Sequence, residues 1–333
     1  MNIKNIYMNT YADKLSFSSA CKLYVFLLIF LISLLANTTT SNASELKTIL
    51  ILTAMELEEN AIIEKLHLPF KEIVADDILE TKYKMAIING SSKDKDLRII
   101  LSHTGVGMVN ASTNLYSIIK DFNDKNQKQK IDLVIVSGVA GSLQEKLKIG
   151  DVVIANRLIQ HDSFVSSDTN VSEDTSKDCQ QSQSSTKLDS IKKLMAPGEF
   201  FVADTPDGPT DPALYPDKQN FQLLSRITQN MFDKESDNQV HIGTILTGSS
   251  FAGSSKQKMR LAKLVPNAYA VDMEVVAVAQ MCKKLKIPFV AFKTISDRYN
   301  PKSGVITDYK TFSKKAAQNA GRVISLFINQ AKE

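Results

Sequence analysis

Residues 48–53 read TILILT, four large aliphatic side chains in a row framed by threonines. A run this short is a strand, and without polar alternation it has no face left for solvent, so layers must cover it on both sides. A helical stripe follows at once, with Leu57, Ala61, Ile62 and Leu66 on one side of residues 55–66. The pairing recurs. A strand over 97–103 precedes a helix over 108–122, and a strand ending at Val271 precedes a helix over 273–285. Further strands are expected at 84–89, 131–137, 151–158, 241–246 and 288–295. A last long helix over 309–331 carries Phe312, Ala316, Ala320, Val323 and Phe327 on or near one face. No internal repeat is present. The alternation predicts one α/β domain with a largely buried sheet.

Two stretches depart from this pattern. Residues 24–36 (YVFLLIFLISLLA) are apolar but shorter than the roughly 20 residues a spanning helix needs. Lysines precede them, and Ser41 and Ala43 place small residues where a signal peptidase cuts. Residues 1–43 therefore read as a signal peptide, with an exported domain over 44–333; a retained membrane anchor is the alternative. Cys21 lies ahead of the apolar run and gives a lipoprotein anchor no support. The second stretch, at about 163–195, begins as a run of Ser, Asp, Thr, Gln and Lys that buries too little to offset its ordering entropy, and reads as a flexible surface insertion. Residues 196–217 carry Phe200, Phe201, Leu214 and Tyr215 among Pro, Gly and Asp, and read as an ordered loop near a site.

Charge excludes one class of partner. The 40 basic and 36 acidic residues leave +4, and removing Lys4, Lys14, Lys22 and Asp13 with the first 43 residues leaves +2. That is too weak and too dispersed for a nucleic-acid surface. Of the three cysteines, Cys282 lies in an apolar helical stretch and Cys179 in a polar loop, so a disulfide between them is not expected. No Cys/His spacing resembles a metal site.

Three clusters could carry chemistry. Glu56, Glu58 and Glu59 follow the first strand at its carboxyl end, where open α/β sheets bind ligands, although acids also suit a helix first turn. Glycines at 105, 107, 138 and 141 follow two other strands, either for close approach to a ligand or simply to turn. Asp272 and Glu274 end one strand, and Ser296 and Asp297 end the next. Acids at two neighbouring strand ends would share one crevice, where a buried acid can hold a proton; helix capping is the alternative.

Taken in order, these segments resemble the 5′-methylthioadenosine/S-adenosylhomocysteine nucleosidases of the nucleoside phosphorylase superfamily. The resemblance runs through LTAMELEE (52–59), SHTGVGMVNAS (102–112), VSGVAGSL followed by LKIGDVVIA (136–155) and His161-Asp162. It continues through TGSSFAGS (247–254), AVDMEVVAVAQMC (270–282) and IPFVAFKTISD (287–297). It implies a nucleoside phosphorylase-like α/β fold, three-layer, with a twisted mixed central sheet flanked by helices, a homodimer, an adenine nucleoside as substrate, and no cofactor or metal. It implies that Asp297 protonates adenine N7, with Ser296 orienting the carboxyl, and that Glu58 activates the attacking water. Glu274 would bind the ribose hydroxyls, Met273 would lie against the sugar, Phe251 would stack on adenine, and the backbone of Ala252 and of 295–297 would address the purine edge.

Four positions depart from the family pattern. Val139 stands where a serine is common near the sugar, Lys293 where an arginine is usual near the water, Asp272 where a glutamate is usual, and Met108 where a lysine is frequent. The insertion after Asp162 falls where relatives complete the pocket across a dimer interface. Two rivals stay open. A phosphate-dependent phosphorylase would need arginines near residues 53–56 or 135–138, and none is there. An exported nucleoside-binding protein on this scaffold would not need Glu58, Glu274 and Asp297 together.

Overall fold

A computed structural model describes residues 47–90, 96–125, 129–162, 213–232, 236–298 and 309–331. The expected signal peptide, the insertion at about 163–195, residues 196–212 of the expected ordered loop, and Cys21 and Cys179 lie outside them. The described elements are β1 (Lys47–Thr53), α1 (Glu56–Leu66), β2 (Lys71–Asp76), β3 (Thr81–Ile88), β4 (Leu97–His103), α2 (Met108–Lys125), β5 (Leu133–Val136) and β6 (Val139–Ser142). Then come β7 (Val152–Gln160), α3 (Lys218–Thr228), β8 (Val240–Thr247), α4 (Ser255–Leu264), β9 (Ala268–Asp272), α5 (Val275–Leu285), β10 (Phe289–Asp297) and α6 (Tyr309–Ala331).

The strands form one mixed sheet in the order β2-β3-β4-β1-β5-β10-β6-β9-β8-β7, and β10 also pairs with β7. That extra pairing closes β10, β6, β9, β8 and β7 into a ring at one end of an otherwise open sheet. Strand β10 sits at the junction, and all nine of its residues are buried.

Three layers follow from strict alternation along β1. Ile49 and Ile51 face Ile62 of α1 and Val323, Ile324, Phe327 and Ile328 of α6. Leu50 and Leu52 face the opposite core, with Leu115, Ile118 and Phe122 of α2 and Val275, Val278 and Ala279 of α5. Helix α4 covers the ring, with Leu261 packed near Leu246 and Val271. The expected three-layer α/β architecture is the observed one.

Helices α1 and α6 meet unusually closely. A Cβ built on Gly321 of α6 would lie 2.5 Å from the carbonyl oxygen of Ala61. Glycine inside a helix costs about 1 kcal/mol relative to alanine, so without this contact Gly321→Ala would stabilise. Here we expect the reverse, a loss of about 1–3 kcal/mol from overpacking, read as a lower melting temperature. A rise would show that the two helices separate freely.

Several elements were not expected. The edge strand β2 and helix α3 have weak patterns, and β6 (VAGS) is read from its sequence as a turn. The expectation that the acids at 272–274 and at 297 sit on neighbouring strands is corrected. Strand β6 lies between β9 and β10, parallel to β10 and antiparallel to β9. The acids still converge, because β6 is only four residues long and its backbone floors the space between them.

Candidate active site

The ends of β1, β6, β9 and β10 and the loops after β4 and β8 open on one cavity. Its walls include Glu58, Val139, Phe251, Ala252, Met273, Glu274, Ser296 and Asp297. These are eight of the nine residues singled out from sequence. The ninth, Lys293, lies buried beneath them.

Glu58 is the third residue of α1, and its carboxylate reaches back to the strand end. Oε2 accepts from the amides of Ala54 (2.8 Å) and Met55 (2.9 Å), and Oε1 accepts from the amide of Val139 at 2.7 Å. Three backbone donors on two elements fix its position. Burial raises the Glu58 pKa above the usual carboxylate range, and this outweighs the opposing pull of Lys293 and the three amides. A carboxylate so raised is a better base near neutral pH.

Gly138 makes this contact sterically available. Its φ is +143°, and an added Cβ would lie 2.7 Å from Oε1 of Glu58. Gly138→Ala is expected to lower turnover at least about tenfold by displacing this base, and to cost about 1–3 kcal/mol in backbone strain. Steady-state kinetics with a thermal melt checks both, and unchanged turnover would mean that Glu58 need not sit there.

A compact charge cluster lies at the other side. Lys293 Nζ is 3.1 Å from Oδ2 of Asp272 and 3.4 Å from Oε2 of Glu274. Glu274 Oε1 accepts from the amide of Gly107 at 2.9 Å. Asp272 accepts from Thr247 Oγ1 (2.5 Å) and from the amide of Val275 (3.0 Å), so it both caps α5 and anchors the lysine. Burial disfavours the Lys293 ammonium, but Asp272, Glu274 and Glu58 together outweigh that and hold its pKa above the ordinary lysine range. Glu274 is pushed up by burial first and by Asp272 and Glu58 as well, against the pull of Lys293 and the Gly107 amide. Three buried carboxyls thus share one buried ammonium, and the site favours positive charge developing in the cavity.

At the third side stands Asp297. Ser296 Oγ donates to its Oδ1 at 3.0 Å, and Lys258 Nζ forms a buried ion pair with its Oδ2. Phe251, 57% exposed, lies at the mouth, while Ala252 is buried. Sequence reasoning missed Lys258 and Thr247, and it singled out Gly107 for close approach to a ligand or a turn but not as the amide donor to Glu274. Only Lys258 left a signal, since it lies three residues before buried Leu261 and so on the inner face of α4. Among the described residues, no group of three or more His, Cys, Asp or Glu is arranged to hold a metal ion. Cys282 is a buried free cysteine.

Comparison with known proteins agrees with this geometry. The sequence profile of the phosphorylase superfamily matches residues 48–329. The chain is similar to the 5′-methylthioadenosine/S-adenosylhomocysteine nucleosidase of Staphylococcus epidermidis, at 28% identity over 84% of this chain and 97% of that protein. It is similar in structure to the 5′-methylthioadenosine/S-adenosylhomocysteine nucleosidase of Neisseria meningitidis solved with methylthio-immucillin-A. That match has a TM-score of 0.62 and 25% identity over 86% of this chain and all of that one. A futalosine hydrolase of Helicobacter pylori shares the fold at TM-score 0.63 and 22% identity, over 86% of this chain and 98% of that one.

Proposed function

The chain belongs to the phosphorylase superfamily, and we propose that within it this protein is an N-glycosidase that hydrolyses adenine nucleosides, 5′-methylthioadenosine or S-adenosylhomocysteine, and releases adenine. The observation that carries this reading is the charge arrangement of the cavity. Two buried acids line it from different elements, Glu58 on amide donors and Asp297 on Ser296 and Lys258, and Glu274 lines it too.

The reaction separates ribose C1′ from adenine N9 through a transition state with oxocarbenium character. Asp297 delivers a proton to N7, so that adenine leaves neutral, and Ser296 holds its carboxyl. Glu58 takes the proton of the attacking water. Glu274 accepts hydrogen bonds from the ribose hydroxyls, and Met273 packs against the sugar. Phe251 stacks on the purine, with the backbone of Ala252 along its edge. Val139 supplies the amide that orients Glu58, and Lys293 keeps the carboxyl cluster from carrying its full negative charge. Each proton transfer is worth about 10²–10⁴-fold.

Water rather than phosphate suits this cavity. Among its described lining residues there is no arginine or lysine. Lys293 is committed to Asp272 and Glu274, and the surplus of carboxyls repels an anion. Adenine release from both nucleosides, in phosphate-free buffer and with phosphate added, tests the reading. Release that requires phosphate would transfer the protein to the phosphorylases.

Export and self-association belong to the same proposal. The apolar run 24–36 with Ser41 and Ala43 supports cleavage before Ser44, which the mature N-terminus would report. Val106, Val109 and Tyr116, large apolar residues exposed on and just before α2, support a homodimer through that face, which sedimentation would report.

A further inference from the structure

The proposed reaction as written leaves Lys258 without a part, and its placement is costly. It lies near the start of α4, wholly buried, on a helix whose other basic residues, Lys256, Arg260 and Lys263, are exposed. Burying an ammonium costs several kcal/mol unless a partner offsets it. The partner is Asp297, met at Oδ2 and, at 3.4 Å, at the backbone oxygen. The floor of the cavity is shaped around the pair. A Cβ on Gly141 of β6 would lie 2.7 Å from Lys258 Nζ and 3.1 Å from Oδ2 of Asp297. Ser296 serves the other oxygen, so both oxygens of Asp297 receive a donor. Burial lowers the Lys258 pKa, against the opposing pull of Asp297, and so eases the proton's release.

We propose that Lys258 is a positioning residue for Asp297 that also stores the transferable proton, so that the general acid is a lysine–aspartate couple rather than a lone carboxyl. As the C1′–N9 bond breaks, its electron pair stays with adenine. A proton passes from Lys258 Nζ to the Asp297 carboxylate and from that carboxyl to N7. The water oxygen bonds to C1′ and its proton goes to Glu58. Afterwards Glu58 loses that proton to solvent and Lys258 takes one up, which closes the balance. This inference rests on the hydrolytic reading of the site. The ion-pair partner of Lys258 is Asp297, Gly141 of β6 lies against the pair, and the buried charges Lys293, Asp272, Glu274 and Glu58 form a separate cluster.

The test compares wild type, Lys258→Met and Lys258→Arg in adenine release from 5′-methylthioadenosine at about pH 8 and about pH 5.5. Without the stored proton, solvent must protonate Asp297, which it does only when protons are plentiful. Lys258→Met should therefore turn over about 10- to 100-fold slower than wild type at the higher pH, and within about threefold of it at the lower, with KM little changed. Lys258→Arg should stay within about tenfold of wild type at both, as it keeps the charge. A ratio near one at the higher pH, or an equal loss at both, would overturn the proposal, the second outcome marking a purely structural lysine. Should the methionine variant not fold, the wild-type profile decides. Turnover that holds steady between about pH 7 and 8.5 supports the couple, and a tenfold fall per pH unit overturns it. Absence of adenine release by wild type would instead remove the hydrolytic reading itself.

Discussion

Asp297→Asn should release adenine about 10²–10⁴-fold more slowly than wild type while its KM stays within about threefold. An amide keeps the shape and still meets Ser296 and Lys258, but it has no proton to give to N7. Adenine is a poor leaving group until that nitrogen is protonated, so the loss falls on the chemical step and binding survives. Single-turnover measurement separates the two. A fall of less than about tenfold would mean that N7 acquires its proton elsewhere and that Asp297 serves binding alone.

The second large effect is on stability. Lys293→Met comes within one atom of the side chain's length but leaves Asp272, Glu274 and Glu58 buried around no cation. Breaking a buried ion pair from one side costs about 3–5 kcal/mol, which at this domain size is a fall of roughly 10 °C in melting temperature. The pH dependence has a definite sign. In the variant Glu58 and Glu274, which burial raises and Lys293 no longer opposes, bind protons more tightly folded than unfolded, so their stability is present at low pH and lost as pH rises through the folded-state values. Lys293 itself stays charged between about pH 5.5 and 8, where its contribution to the wild type is complete. The deficit of the variant should therefore be larger at about pH 8 than at about pH 5.5. A deficit that does not change with pH would show that the methionine merely packs badly.

The layers were legible because β1 alternates without a polar residue from Ile49 to Leu52, which forces a covered sheet. The reacting carboxylates were legible for a related reason. Glu58 and Glu274 lie just beyond a strand and Asp297 is the last residue of one, where side chains leave the sheet for the cavity. Sheet order was not legible. Strands β9 and β10 are consecutive in sequence but separated by β6, and the pairing of β10 with β7 joins segments more than 130 residues apart. Neither depends on local pattern. Strand β6 hid because its work is done by backbone. Gly138 clears space for Glu58 and Gly141 clears space for Lys258, and within VAGS only Val139 is a strand-forming side chain. Lys258 hid because basic residues in SKQKMRLAKL normally mark a solvated face, and the buried ion pair that overrides this lies 39 residues further along the chain. Lys293 was placed near the water from sequence, whereas the structure commits it to Asp272 and Glu274 below the cavity.

The central claim is that water, activated by Glu58, attacks C1′ as Asp297 releases the purine. The most direct measurement is the turnover of 5′-methylthioadenosine in phosphate-free, oxygen-18 water, with mass analysis of the sugar product. The account predicts free adenine and a 5′-methylthioribose carrying one heavy oxygen at C1. Substrate left intact until phosphate is supplied, with ribose 1-phosphate chemistry in place of the labelled sugar, would contradict it.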